Sequence, residues 1–336
     1  MELYFLGTGA GMPSTRRNVT SISLRLNQER GTFWMIDCGE GTQHQVLSSP
    51  LKPSQLEKLF ITHLHGDHLF GLPGLLGSRA FQGGLTPLDI YGPSGLREFV
   101  ETSLRISETH LPYEVQVHEI DEGPIFEDHQ FVVTCHQLAH GVPSYGYRME
   151  ERAAPGRLNQ AKLEDEGIAP GPIYGQLKAG MDVTLPNGRV LRAKTYLSSP
   201  IPGRKVVILG DTTPCSAIAT LASGADVLVH EATYASADEA KAHAHHHSTS
   251  VDAATAARES GVKALILTHV SARYDEDALC ALLREAQVIF PNTFLASDHA
   301  SMPILRTGEV KVSTPVPSAS RIDPPVSEPT DSREFQ

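Results

Sequence analysis

Thiols are scarce in this chain. Four cysteines occur in 336 residues, Cys38, Cys135, Cys215 and Cys280, and no two of them form a CxxC pair. That spacing argues against a disulfide framework or a cysteine-type zinc site and suits a reducing cytoplasm. Long hydrophobic runs are missing as well: no stretch reaches the roughly 20 apolar residues that span a bilayer, so no membrane association is expected. The initial MELYFLGTGAG has neither a basic n-region nor an extended apolar core and does not read as a secretory signal. Basic charge is in deficit, with 28 Lys and Arg against 39 Asp and Glu and a net charge of −11. Taken alone, this argues against nucleic-acid binding through a broadly basic surface, although a local basic patch would still serve.

Histidine, by contrast, is abundant, with 16 residues, and it is the commonest metal ligand. Hydrophobic residues at 40% and charged residues at 20% are those of a globular chain, and the length fits one large domain or two smaller ones. Short apolar or alternating runs predict strands at Glu2–Leu6, Ser21–Leu26, Thr32–Ile36, Leu59–Ile61, Leu88–Tyr91 and Phe131–Thr134. Further strands are predicted at Lys205–Leu209, Asp226–Val229 and Ala264–Leu267. Helical spacing occupies Ser94–Leu104, Pro214–Leu221, Ser248–Glu259 and Asp275–Gln287, with Ser248 or Thr249 as the N-cap of the third. This strand–helix alternation predicts an α/β fold. Residues 151–194 lose periodicity, are rich in Pro and Gly, and are too long for an ordinary connection. Residues 313–336 read as a disordered, Pro-rich tail.

The chemistry concentrates in Thr62-His63-Leu64-His65-Gly66-Asp67-His68, an HxHxDH cluster at the exit of an apolar strand. Imidazole and carboxylate ligands without thiolates point to an open, catalytic zinc site. His140, Asp211 and His269 each follow a predicted strand, the placement that a rigid ligand set requires. Seven candidates are too many for one tetrahedral ion but enough for two if a carboxylate bridges. Two ions can clamp the attacking and leaving oxygens of a hydrolysis. The Gly7–Gly11 turn is a poor dinucleotide fingerprint, because Met12-Pro13 follows where a Gly and a helix should stand.

The cluster, with the later His, Asp and His, resembles the metallo-β-lactamase superfamily. A finer similarity, to the ribonuclease Z family, rests on Phe5–Gly11, Asp37-Cys38-Gly39-Glu40, Gly71–Ser78, His230-Glu231-Ala232-Thr233, His247-Ser248-Thr249 and Leu267–Tyr274, and extends over about residues 1–310. The resemblance implies an αββα sandwich for residues 1–312. It also implies a zinc-dependent endoribonuclease that removes the 3′ trailer of precursor tRNA and leaves a 3′-hydroxyl. It implies two zinc ions per subunit, one on His63, His65, His140 and Asp211, the other on Asp67, His68, Asp211 and His269. Asp67 would accept a proton beside the attacking water. His247, supported by Glu231, would stabilise the scissile phosphate or protonate the leaving oxygen.

The same resemblance makes residues 151–194 a protruding, flexible arm that grips tRNA through Gly171-Pro172, and it makes the protein a homodimer. The arm carries seven Lys and Arg against five Asp and Glu, a modest local excess. The loop Pro13-Ser14-Thr15-Arg16-Arg17-Asn18 matches the family's 3′-end-sensing Pro-x-Lys-x-Arg-Asn except that Thr15 replaces Lys. Arg17 and Asn18 become candidate substrate contacts, as does Arg273, and the handling of CCA-containing ends stays open. His243, His245 and His246 precede His247 in an HAHHH tract. They read as a metal tract or, in the favoured reading, as exposed histidines ahead of a catalytic one. His230 reads as structural, and the remaining histidines as structural or exposed rather than as ligands. Two alternatives remain: a hydrolase of small phosphodiesters or thioesters, and a non-catalytic RNA-binding member.

Overall fold

Alternation along the strands builds two sheets buried on both faces. A computed structural model describes residues 1–311; the expected tail at 313–336 lies outside the described residues. In Glu2–Gly7, Leu3 and Phe5 turn to one face and Tyr4 and Leu6 to the other, and all four are buried. In Lys205–Leu209, Val206 and Ile208 oppose Val207 and Leu209 in the same way. Strands with two apolar faces need a layer on each side. Each fully buried aliphatic side chain contributes roughly 1.5–3 kcal/mol.

The first sheet runs Ser301–Pro303, Glu2–Gly7, Ser21–Leu26, Thr32–Ile36, Leu56–Phe60, Leu88–Gly92, Val115–Glu119 from edge to edge. The second runs Thr293–Leu295, Ala264–Thr268, Val227–Glu231, Lys205–Leu209, Ser144–Glu151, Phe131–Leu138, Gly123–Glu127. Their inner faces meet in one core, where Trp34 packs against Phe60, Phe126 and Phe131. Helices Leu72–Phe81 and Leu96–Ile106 cover the outside of the first sheet. Ser216–Ala222, Ser250–Ser260 and Glu276–Ile289 cover the second. The four layers are the expected αββα sandwich. Thr249 caps Ser250–Ser260 in a reciprocal capping box with Asp252, and Asp275 caps Glu276–Ile289.

Strands Ser144–Glu151, Val115–Glu119 and Gly123–Glu127 are absent from the sequence reading. The first of these, SYGYRMEE, does alternate, with Tyr145, Tyr147 and Met149 turned into the core, but Gly146 and the charged residues between and after them leave the apolar signal thin. Its pairing with both Phe131–Leu138 and Lys205–Leu209 holds it in place. Among the described residues no helix is long and apolar enough to cross a membrane.

Residues 151–194, aperiodic in sequence, are nevertheless folded. They hold helices Gln160–Asp165, Pro172–Lys178 and Ala193–Tyr196 and the strand pair Val183–Thr184/Val190–Leu191. Leu163, Tyr174, Leu177, Leu191 and Tyr196 form a small separate core. The unit leaves and rejoins the body at one neck, where the backbones of Ala154 and Ile201 pair and Ser198 N–H donates to the Arg157 carbonyl at 2.9 Å. At its root the buried Arg204 guanidinium binds Glu151 at 2.8 Å and Glu29 at 2.6 Å. Breaking such a buried pair by removing one partner costs about 3–5 kcal/mol.

Candidate metal centre

Strand ends carry the candidate ligands to one edge of the sandwich. His63 and His65 follow Leu56–Phe60, and Asp67 and His68 lie in the single helical turn Gly66–Leu69. His140 follows Phe131–Leu138, Asp211 follows Lys205–Leu209, and His269 follows Ala264–Thr268. Asp37, His246 and His269 all have left-handed backbones, with φ of 60°, 59° and 53°. Such non-glycine conformations are costly, and they concentrate where function holds a side chain in place.

The ligand atoms converge in two groups, His63, His65 and His140 in one and Asp67, His68 and His269 in the other, while Asp211 falls with His63 and His68 and again with His247 and His269. In the first, His63 Nε2 is 3.1 Å from His65 Nδ1, which is 3.4 Å from His140 Nε2, and His63 Nε2 is 3.8 Å from Asp211 Oδ2. In the second, His68 Nε2 is 3.2 Å from His269 Nε2. Asp67 Oδ2 lies 3.3 Å from His269 and 3.5 Å from His68, and Asp211 reaches the same two rings at 3.4 and 3.6 Å.

The far side of these rings shows which atoms face the centre. His68 Nδ1 donates to Asp37 Oδ2 at 2.7 Å and His140 Nδ1 to the His246 carbonyl at 2.8 Å. Thr62 Oγ1 donates to Asp37 and so accepts from His63 Nδ1 at 3.0 Å. Thr233 Oγ1 donates to Glu231 Oε2 and accepts from His269 Nδ1 at 2.9 Å. Four imidazoles thus carry their proton on the outer nitrogen and turn an Nε2 lone pair inward, as outer partners of metal-binding histidines do. Lone pairs 3.1–3.4 Å apart would repel if nothing lay between them. Ligands of a tetrahedral zinc, at bond lengths of about 2.0–2.1 Å, stand roughly 3.3–3.4 Å from one another. The residues therefore fit a pair of divalent cations.

Electrostatics favours positive charge in the centre. Burial pushes His63 and His140 below the ordinary histidine range, keeping both neutral and able to coordinate. Burial opposes ionisation of Asp67 and Asp211, but positive charge at the adjoining His269 and His68 outweighs it and holds both well below the usual carboxylate range; cations would supply that charge with those rings as neutral ligands. Gly11 N–H also donates to Asp67 Oδ2 at 2.8 Å, which gives the Gly-rich turn its use. His247 behaves differently. Burial opposes its charge, but the Glu231 carboxylate 3.0 Å from Nδ1 prevails, and His247 is pushed up to about 9. Glu231 is itself buried and accepts Thr212 N–H at 2.9 Å.

His65, Asp67, Asp211, His247 and His269 line an open cavity of about 240 Å³ together with Ala10, Gly11 and Tyr234. The exposed Arg273 guanidinium lies 4.8 Å over the Tyr234 ring at its rim. Arg17 and Asn18 line a different cavity, of about 390 Å³, and they brace their loop rather than presenting free groups. Arg17 Nη1 donates to Thr8 Oγ1 at 2.6 Å and to the Ala296 carbonyl at 2.7 Å. Asn18 donates its backbone N–H to Asp298 Oδ2 at 2.6 Å and its amide to the Glu40 carbonyl at 2.9 Å. Ser14, Thr15, Arg16 and His44 are the exposed residues there, Arg16 pairing with Glu276 at 2.6 Å. Gly171 and Pro172 are exposed on the arm, outside the metal cavity, where they open helix Pro172–Lys178. His230 is buried, with Nδ1 against the Glu231 carbonyl. Sequence reasoning gave no role to Asp37, Thr62 or Thr233, although each lies within a quoted motif, Asp37-Cys38-Gly39-Glu40, Thr62–His68 or His230–Thr233.

Comparison with known proteins resolves the family. Residues 1–154 match the family model described as Anti-Pycsar protein Apyc1. Ribonuclease Z of Bacillus subtilis is 50% identical over 306 residues, covering 91% of this chain and all of that protein. Ribonuclease Z of Anoxybacillus flavithermus is 53% identical over 308 residues, covering 92% of this chain and 99% of that protein. The chain belongs to the ribonuclease Z family. The crystal structure of the short form of human tRNase Z is 34% identical with a TM-score of 0.66, covering 91% of this chain and all of that one. The metallo-β-lactamase fold protein YhfI from Bacillus subtilis is only 16% identical yet has a TM-score of 0.62, covering 89% of this chain and 98% of that one. The sandwich of this ribonuclease Z member is therefore the metallo-β-lactamase fold.

Proposed function

We propose that this ribonuclease Z family member is a dizinc endoribonuclease that cuts the 3′ trailer from precursor tRNA and leaves a 3′-hydroxyl on the tRNA. The observation that carries the reading is the set of inward Nε2 lone pairs of His63, His68, His140 and His269 around Asp211, beside a protonated His247. His63, His65, His140 and Asp211 would hold one cation and Asp67, His68, His269 and Asp211 the other. When bound, the cations would supply Lewis-acid activation of water and offset charge on the scissile phosphate.

The protein's own groups divide the proton work. Asp67 is ionised and fixed by Gly11 N–H, so it can orient the attacking water and take its proton. As the water oxygen bonds to phosphorus, the P–O3′ bond breaks. The O3′ atom takes its electron pair, and His247 gives it a proton. Glu231 on Nδ1 fixes the ring so that Nε2 is the donating atom. A trailer bearing a 5′-phosphate and a tRNA ending in a 3′-hydroxyl result.

The arm supports the substrate reading. Arg157, Lys178, Arg192 and Lys194 are exposed on it, and Arg189 is tied to Glu166. These cations would grip the tRNA backbone away from the cleavage point, making binding salt-sensitive. In a homodimer, one subunit's arm would hold a tRNA whose 3′ end enters the other's site, within the cytoplasm. The test is Asp67→Ala loaded with zinc. Cleavage of precursor tRNA should fall by more than about a hundredfold while tRNA binding persists. Near-normal turnover would overturn the assignment.

A further inference from the structure

The histidine tract ahead of His247 has a second set of convergent ligands. Glu239 and His243 lie one turn apart on helix Glu239–Ala244, and Asp252 lies in the first turn of Ser250–Ser260. One ligand atom of each falls within 4.8 Å of the others, and His243 Nε2 is 3.1 Å from Asp252 Oδ2. The capping box orients this carboxylate: Oδ2 accepts both the backbone N–H and the hydroxyl of Thr249 at 2.9 Å. Among the described residues no hydrogen bond engages Asp252 Oδ1. Glu239 is exposed and the His243 side chain is 39% exposed, so an ion could enter and keep water in its remaining positions.

The two helices flank the segment that serves the main centre. His247 N–H donates to the Ala242 carbonyl at 2.9 Å, and the His246 carbonyl accepts from His140 Nδ1 at 2.8 Å. His246 holds its left-handed backbone between them. A clamp joining His243 to Asp252 would fix both ends of this turn, and with it a ligand of one cation and the proton donor.

We propose that Glu239, His243 and Asp252 form a peripheral site for a third divalent transition cation, which braces the His245–Thr249 segment. One imidazole and two carboxylates suit a borderline cation of the zinc class. With Glu239 exposed and His243 and Asp252 partly so, the site binds more weakly than the buried pair. The coupling to the main centre rests on the dizinc reading; the binding site itself does not.

The experiment titrates cobalt(II), followed by its visible absorption and by calorimetry, into protein already carrying two zinc ions. Wild type should take up one further equivalent and gain thermal stability. His243→Gln and Glu239→Gln should each weaken that equivalent by at least about tenfold, while His245→Gln should not. Both variants should retain two zinc ions and cleavage without added metal. Absence of a third equivalent up to millimolar cobalt, unchanged uptake in His243→Gln and Glu239→Gln, or loss in His245→Gln instead would each overturn the site. Failure to retain the first two ions would count against the dizinc reading instead.

Discussion

Glu231→Gln probes the role of His247, with zinc content as its control because Glu231 also accepts from Thr233, the outer partner of His269. The carboxylate raises His247 from an ordinary value of 6.5 to about 9, a difference worth about 3 kcal/mol in favour of the imidazolium. At pH 7.5 a group titrating near 9 is almost fully protonated, whereas one near 6.5 is about one-tenth protonated. If the protonated ring donates to the leaving oxygen, kcat at pH 7.5 falls about tenfold in the variant. The descending limb of the pH–rate profile moves to lower pH by about 2.5 units or more, because the burial that opposes the charge remains, and activity recovers as pH falls. Bound cations lower the limb in both proteins alike, so the displacement between them is the decisive quantity. The linkage sign agrees: a raised pKa means that protonated His247 stabilises the fold below pH 6.5 and that this contribution fades as pH rises through about 9. The assay is single-turnover cleavage of labelled precursor tRNA at saturating metal from pH 5.5 to 9.5, with zinc content and thermal stability recorded for each protein. Superimposable profiles from two equally metallated proteins would refute the assignment of His247 as proton donor.

Two further outcomes follow from the site and the arm. Asp37→Ala removes the acceptor of His68 Nδ1–H and of the Thr62 hydroxyl; metal affinity, measured by chelator competition, should drop about 10–100-fold. Replacing residues 158–197 by two glycines between Arg157 and Ser198 removes the arm with its whole core, because the neck residues are already hydrogen-bonded. Precursor tRNA cleavage should fall through KM, while hydrolysis of bis(p-nitrophenyl) phosphate should persist. Equal loss on both substrates would contradict a substrate-gripping arm.

The sequence was most legible where local pattern and burial agree. Ser21–Leu26, Thr32–Ile36 and Lys205–Leu209 have the bounds that alternation or unbroken apolarity indicates. Ser144–Glu151 was less legible: Tyr145, Tyr147 and Met149 alternate onto the core face, but Gly and charged residues dilute the repeat, and pairing with two neighbours completes the strand. The seven ligand candidates could be picked out because ligands of this type follow strands, and the structure gathers their donor atoms at one edge. The pairings of the outer partners were hidden for a different reason, although Asp37 and Thr233 lie within recognised motifs. Asp37 reaches His68 across 31 residues, Thr233 reaches His269 across 36, and the acceptor of His140 is a backbone carbonyl that no side-chain motif announces. Arg17 and Asn18 show the converse limit, since motif matching named them without indicating that their donors turn inward. The arm's core uses few apolar residues at irregular spacing, so periodicity could not reveal it.

The most direct measurement maps the termini produced from two precursor tRNAs, one with and one without an encoded CCA, incubated with the zinc-loaded protein. A tRNA ending in a 3′-hydroxyl and a trailer beginning with a 5′-phosphate are expected from the CCA-less precursor. A 2′,3′-cyclic phosphate, a trailer with a 5′-hydroxyl, or no cleavage of either precursor would contradict water attack at a dizinc centre with His247 protonating O3′.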